Sequence, residues 1–169
     1  MTKRHIQNIE NELVTLRLLQ EEDLQQTLKW RNQDSIRKWF RTTDAINMDK
    51  HLAWYKHYLD LDNDFVFMIL SKEMGNIPIG QVSLYAIDWK TKIGEYGRLM
   101  IGHHLARGKG LAKSASQLIL RIAFDMLGLE RIVLEVKDNN VVAKSIYQSI
   151  GFSEIDYKDK LILMEKAKQ

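Results

Sequence analysis

The segment Arg107-Gly108-Lys109-Gly110-Leu111-Ala112 sets two glycines immediately before a run in which Leu111, Ala115, Leu118, Ile119, Ile122, Ala123 and Met126 recur at helical period. A helix start leaves its first N–H groups without acceptors and carries the positive end of the helix dipole. Gly108 and Gly110 remove the Cβ atoms that would hold an anion away. The chemistry on offer is capture of a phosphate or diphosphate. Two phosphate loops do not fit. The nucleoside-triphosphatase loop needs Ser or Thr after Gly-Lys, where this chain has Gly110. The dinucleotide loop needs Gly or Ala where Lys113 stands, and it follows the first strand of a parallel unit, whereas antiparallel strands are expected before this segment.

A second group of residues lies downstream. Asn140, Ala143, Tyr147, Gly151 and Phe152 are spaced so that Ala143 and Tyr147 share one face of a helix that Gly151 ends. Together the two segments resemble the GNAT superfamily of N-acetyltransferases. Its pyrophosphate loop reads Arg or Gln, two residues, Gly, one residue, then Gly or Ala, and Arg107, Gly110 and Ala112 match it in place. Its closing pattern is an Asn, a Tyr seven residues on, and then Gly-Phe.

The resemblance implies a single α+β domain over residues 1–169. A mixed, mostly antiparallel sheet of about six to seven strands would be flanked by four helices, with two splayed strands admitting coenzyme A. It implies acetyl-CoA as cosubstrate and no metal. Leu105, Arg107, Gly108, Lys109, Gly110, Leu111 and Ala112 would hold the pantetheine and pyrophosphate, Asn140 and Ala143 would face the cofactor, and Tyr147 would lie near its sulfur.

Direct transfer needs an uncharged amine, an aligned thioester, a donor to the carbonyl oxygen and a proton for the departing thiolate. Tyr147, a neutral phenol at pH 7, is the expected proton donor. Glu95, at the entry of the strand before the loop, is the leading candidate to deprotonate the amine through water; His103 and His104 are lesser ones. A backbone N–H around Met100 or Ile101 would meet the carbonyl oxygen.

Acceptor sites in this superfamily are built by the first two helices and their loop. There the chain has Trp30-Arg31-Asn32, Ile36-Arg37-Lys38-Trp39-Phe40, His51 and Trp54. This cluster, with the segment 95–102, resembles the branch that acetylates nucleotide-linked amino sugars, of the pseudaminic acid pathway type. Arg31, Asn32, Arg37, Trp39, His51 and Trp54 are therefore expected to bind the acceptor, with basic groups for a diphosphate and aromatic ones for a base or sugar face. A ribosomal-protein or N-terminal protein acetyltransferase would share the cofactor half. A non-catalytic acetyl-CoA sensor would keep the loop without turnover.

Positioning these groups falls to elements legible from periodicity. Residues 14–19 read as a strand and 21–32 as a helix with an acidic first turn. Asp49 reads as the cap of a second helix reaching Leu61, with Leu52, Tyr55 and Leu59 on one stripe and His51, Trp54 and Tyr58 on a neighbouring stripe that could face a ligand. Residues 65–70, 77–87 and 94–101 read as three antiparallel strands, 132–136 as a buried strand, and 141–150 as a helix. Residues 152–155 and 161–164 close the chain as strands, and Gly128 caps the helix that starts at Leu111.

Composition fits one globular unit, with 45% apolar and 28% charged residues. The net charge of +3 and the lack of a basic run argue against nucleic acid as partner. No apolar run is long enough for a membrane span, and the first residues are polar, unlike a signal peptide. A cytoplasmic setting, a small-molecule amine partner and a monomer or homodimer are expected. With no Cys, thiolate metal sites and a Cys nucleophile are excluded, so acyl transfer is direct or uses another nucleophile.

Overall fold

The computed structural model describes residues 2–169. Strands Ile9–Glu10 (β1) and Val14–Leu18 (β2) lead into helices Leu24–Arg31 (α1), Asp34–Arg37 (α2) and Met48–Leu59 (α3). Strands Phe65–Ser71 (β3), Ile77–Asp88 (β4) and Ile93–Ile101 (β5) follow, then helix Leu111–Arg121 (α4), which continues through a π-helical turn at Ile122–Met126. Strand Arg131–Lys137 (β6), helix Val141–Ser149 (α5) and strands Ser153–Lys158 (β7) and Leu161–Ala167 (β8) complete the chain. The eight strands form one sheet in the order β1-β2-β3-β4-β5-β6-β8-β7. Among the described residues only the β5–β6 pair is parallel, and it joins the two halves of the sheet.

β3 shows why its sequence is an unbroken apolar run. Phe65, Phe67 and Ile69 belong to the core that α4 covers, with Ala115, Leu118 and Ile119, while Val66 and Met68 belong to the opposite core with Trp30, Tyr55 and Tyr58. A strand covered on both faces cannot alternate apolar with polar. Fully burying each large apolar side chain contributes about 1.5–3 kcal/mol, so the two faces hold the sheet between α4 on one side and α1–α3 on the other.

Four readings change. Among the described residues the sheet has eight strands and there are five α-helices, because β1 has only two residues and α2 only four, too short for any periodicity to show. α3 is capped by Asn47, whose side chain accepts from the Lys50 amide at 2.9 Å, and not by Asp49. Its stripes divide differently: Tyr58 is in the core and Leu59 is 46% exposed, because the inward line of α3 runs through Tyr55 and Tyr58. The last hairpin turns on Asp159 and Lys160, both left-handed at φ 54° and 63°, so β7 runs on to Lys158 without a glycine to mark its end.

Candidate active site

The parallel pairing of β5 and β6 covers only Ile93–Glu95 against Arg131–Val133. Beyond it the strands separate, leaving the later residues of β5 facing a gap. The gap opens into a cleft of about 920 Å³ roofed by the segment after α2. A bulge in β5 accompanies the separation: the register moves from Ser83↔Gly97 to Gln81↔Met100, and Arg98 takes φ 53°. Arg98 is held there by an ion pair with Asp64 at 2.8 Å and lies over the Tyr85 ring at 4.1 Å. Past the bulge, the Gly102 amide bonds the Ile79 carbonyl of β4 at 2.8 Å. Backbone groups alternate in direction along a strand, so the Ile101 amide lies on the edge facing the gap and that of Met100 faces β4.

The glycine loop has the features that anion capture needs. Gly110 is the N-cap of α4 in the left-handed conformation, φ 76°, and a Cβ there would meet nothing within 4 Å. Among the described residues, none of the amides of residues 108–113 has a hydrogen-bond acceptor. These orphan donors at a helix start suit a pyrophosphate. The Arg107 side chain turns away from the loop, with Nε donating to the Ile101 carbonyl at 3.1 Å and Nη2 to Gln33 at 2.9 Å, so it clasps the loop to β5 and to the α1–α2 junction. Lys109 pairs with Glu73 at 3.4 Å on the surface, and Leu105 is 59% exposed. Leu111 is buried in the core beneath the loop. Ala112 gives its carbonyl to the Ser116 hydroxyl at 2.7 Å.

Across the gap, Asn140 caps α5 by accepting from the Ala143 amide at 3.3 Å, and both Asn140 and Tyr147 line the cleft. The Tyr147 ring packs edge-on to Tyr96 at 5.4 Å and to Phe152 at 6.2 Å. Burial pushes its phenol up to about 12, an effect the neighbouring Tyr96 hydroxyl partly offsets, so it is a proton donor throughout the neutral range. Tyr96 in turn bonds Ser116 at 2.6 Å, which orients the pair.

Glu95 also lines the cleft. Its Oε1 accepts from the Tyr85 hydroxyl at 2.9 Å and from Arg41 at 3.0 Å, and Arg41 reaches Glu135 of β6 at 2.9 Å as well. His103 and His104 stack on each other at 5.4 Å at the end of β5 and are not part of the cleft wall. Tyr85, Arg41 and Glu135 were not among the residues singled out from sequence. Tyr85 faces Glu95 directly across the β4–β5 hairpin, a pairing that counting from the turn would have given only if the irregular register were known.

The acceptor candidates divide. Arg31, Trp39 and Trp54 line the cleft, with Phe40 beside them. Arg31 is 8% exposed and lies over the Phe40 ring at 4.1 Å. It donates to the Thr42 carbonyl and leaves Nη1 buried without a partner. Burial, then Arg37, lowers its pKa. Asn32, Arg37 and His51 stand outside the cleft wall. Asn32 clamps the backbone of Ile46 by two bonds of 2.7 and 2.8 Å. Arg37 pairs with Asp34 at 2.8 Å. His51 meets the Thr27 hydroxyl at 3.1 Å and stacks on Trp54 at 5.5 Å, and burial lowers its pKa.

A sheet parted at one parallel pair, with orphan amides on one side and a buried phenol on the other, is the architecture of an acyl-coenzyme A transferase. The family described as Acetyltransferase (GNAT) domain matches residues 14–153, and the chain belongs to it: it is an acetyl-CoA-dependent N-acetyltransferase. An N-acetyltransferase 9-like protein of Caenorhabditis briggsae is 26% identical over 81% of this chain and 74% of its own length. The spermidine N-acetyltransferase of Vibrio cholerae, solved with CoA and spermine, superposes with a TM-score of 0.83 at 22% identity, over 93% of this chain and 96% of that one. FdhC, a nucleotide-linked sugar GNAT, superposes at 0.79 with 22% identity, over 98% and 91%. Among the described residues, no helix is long and apolar enough to cross a membrane.

Proposed function

We propose that the protein acetylates, in the cytoplasm, the primary amine of a nucleotide-linked amino sugar. The observation that carries this reading is Arg31, a buried guanidinium on the cleft wall with no carboxylate partner among the described residues. A buried charge without a counter-ion is costly, and an anionic acceptor supplies one. Trp39, Phe40 and Trp54 on the same wall suit a base or a sugar face. The cleft carries Arg31, Arg41, Arg98, Lys137 and Lys160 against Glu95, Glu135, Asp138 and Asp159, five basic to four acidic, so it offers a polycation no excess of carboxylates.

Acetyl-coenzyme A supplies the activated acetyl thioester. The amides of residues 108–113 hold the diphosphate, and Asn140 and Ala143 close the opposite side. Glu95, through a water, takes the proton of the acceptor ammonium. The Ile101 N–H donates to the acetyl carbonyl oxygen, and the Tyr147 hydroxyl gives its proton to the departing sulfur.

A second reading, a polyamine acceptor, is favoured by the Glu95 and Glu135 carboxylates standing on either side of the gap. Thiol release measured with UDP-glucosamine, spermidine and an N-terminal peptide separates these readings. We expect the highest kcat/KM with the sugar nucleotide, and Arg31→Ala should raise its KM about tenfold or more. Efficient turnover of spermidine or peptide, with none of the sugar nucleotide, refutes this acceptor assignment.

A further inference from the structure

Residues 38–47, between α2 and α3, cross the mouth of the cleft as a strap without regular structure. The body of the protein holds this strap by its backbone carbonyls: Lys137 donates to Lys38 at 2.6 Å, and Arg31 donates to Thr42. One side chain of the strap reaches into the gap. Arg41 bridges Glu95 of β5 at 3.0 Å and Glu135 of β6 at 2.9 Å, joining two strands that share no backbone pairing past Glu95 and Val133. Its side chain is 63% exposed, whereas the two carboxylates are 20% and 34% exposed. Glu95 is thus the more enclosed of the two carboxylates, and the guanidinium is the part most open to water. Tyr85, donating to the same Oε1 of Glu95 from beneath, fixes that carboxylate further.

We propose that the Arg41 guanidinium is a built-in stand-in for the acceptor's ammonium group. It occupies the two-carboxylate seat between β5 and β6, and the incoming amine, with the water that links it to Glu95, displaces it. The inference rests on the reading of Glu95 as the group that receives the acceptor. Three features of the geometry support it. A cation is already seated where the proposed base stands. It is delivered by a strap whose backbone is held at Lys38, Thr42 and Ile46, so the Arg41 side chain can leave without unfolding an element. Its ion pairs are open to water on the arginine side, and pairs that water reaches hold weakly enough to be exchanged.

The exchange also gives the product a way out. An ammonium competes with Arg41 for the two carboxylates, but the acetylated nitrogen is an uncharged amide and does not. Arg41 then returns to its seat as the product leaves. In this scheme Arg41 is a specificity device: it sets a threshold that only an acceptor with a cationic amine and further contacts to the cleft overcomes. Neutral ligands do not dislodge it.

The test uses ethylguanidinium as the probe, with the protein's own tryptophan fluorescence as the readout, since Trp39 and Trp54 line the same cleft. Arg41→Ala and Arg41→Gln empty the seat without touching the carboxylates. Each variant should bind ethylguanidinium about 3- to 30-fold more tightly than the parent, because an internal competitor held by two ion pairs open to water on its own side has been removed. Adding Glu135→Gln to Arg41→Ala should reverse that gain. Equal affinity in parent and Arg41 variants, or a gain that survives loss of Glu135, overturns the proposal.

Turnover with UDP-glucosamine is followed in parallel. The acceptor KM should fall about 2- to 5-fold in Arg41→Ala while the KM for acetyl-CoA stays put. A rise in the acceptor KM makes Arg41 a substrate-binding residue and overturns the stand-in role. If UDP-glucosamine is not turned over, the acceptor reading fails, and the ethylguanidinium measurement still decides the role of Arg41.

Discussion

Replacing Tyr147 with Phe removes one oxygen and keeps the ring that packs against Tyr96 and Phe152. Two consequences of different size follow. The phenol is held at about 12, several units above neutral pH, so in the parent nearly every molecule carries the proton to be donated. General acid catalysis contributes roughly 10²- to 10⁴-fold, so kcat should fall by that factor while the KM for acetyl-CoA changes less than about threefold. The structural cost is smaller: the ring packing is kept and only the hydroxyl is lost, worth at most about 1 kcal/mol, which in a chain of this length lowers the midpoint of thermal unfolding by no more than about 2–4 °C. Thiol-release kinetics and a melting curve read the two effects separately. The raised pKa also fixes a pH dependence. Folding favours the neutral phenol, so this contribution to stability is complete below the unfolded phenol's pKa of about 10 and is lost as pH rises through about 12. The Phe variant should lose less stability than the parent across that window. A kcat within threefold of the parent, or equal losses in kcat and in cofactor affinity, refutes the assignment of Tyr147 as the acid.

Gly110→Val should weaken coenzyme A binding more than tenfold by calorimetry, because its Cβ would stand in the open space before the amides of residues 108–113, and the left-handed conformation should cost about 1–2 kcal/mol of stability. Unchanged affinity would place the pyrophosphate elsewhere. Glu95→Gln keeps an acceptor for Tyr85 and Arg41 but loses the charge, so turnover should drop at neutral pH and recover in part at high pH, where the amine is already uncharged. A pH profile parallel to the parent's clears Glu95 of the role of base.

The cofactor half of the molecule was legible because its signals are local. Left-handed glycines before an apolar helical period, and an Asn, Tyr and Gly-Phe at fixed spacing, both report backbone conformation and helix faces that a few neighbouring residues determine. The splayed strands followed from the family and not from any residue pattern, since parting β5 from β6 is a matter of which register ends where. The acceptor half was legible in composition, but composition did not tell which of its residues reach the cleft: Arg31, Trp39 and Trp54 line it, and Asn32, Arg37 and His51 do not. Arg37, Asn32 and His51 have the residue types of a binding site and are committed to Asp34, Ile46 and Thr27 instead. Arg41 and Tyr85 acquire their significance only through Glu95, 54 and 10 residues away along the chain, and no short-range pattern encodes that. The bulge at Arg98 escaped for a related reason: a left-handed Arg is stabilised by Asp64 from a distant strand entry, where a glycine would have announced itself.

The central claim is that the glycine-loop amides hold acetyl-coenzyme A and that its acetyl group reaches an amine seated by Glu95 in the gap between β5 and β6. Its most direct test is amine-dependent turnover with both products counted: thiol released and acetylated amine formed, in parent and Tyr147→Phe enzyme. The account predicts equal amounts of the two products from the parent, saturable in the amine, and a loss of both together in the variant. Tight binding of acetyl-coenzyme A with no amine-dependent thiol release from any acceptor class would contradict it, and would leave the protein a binder of the cofactor.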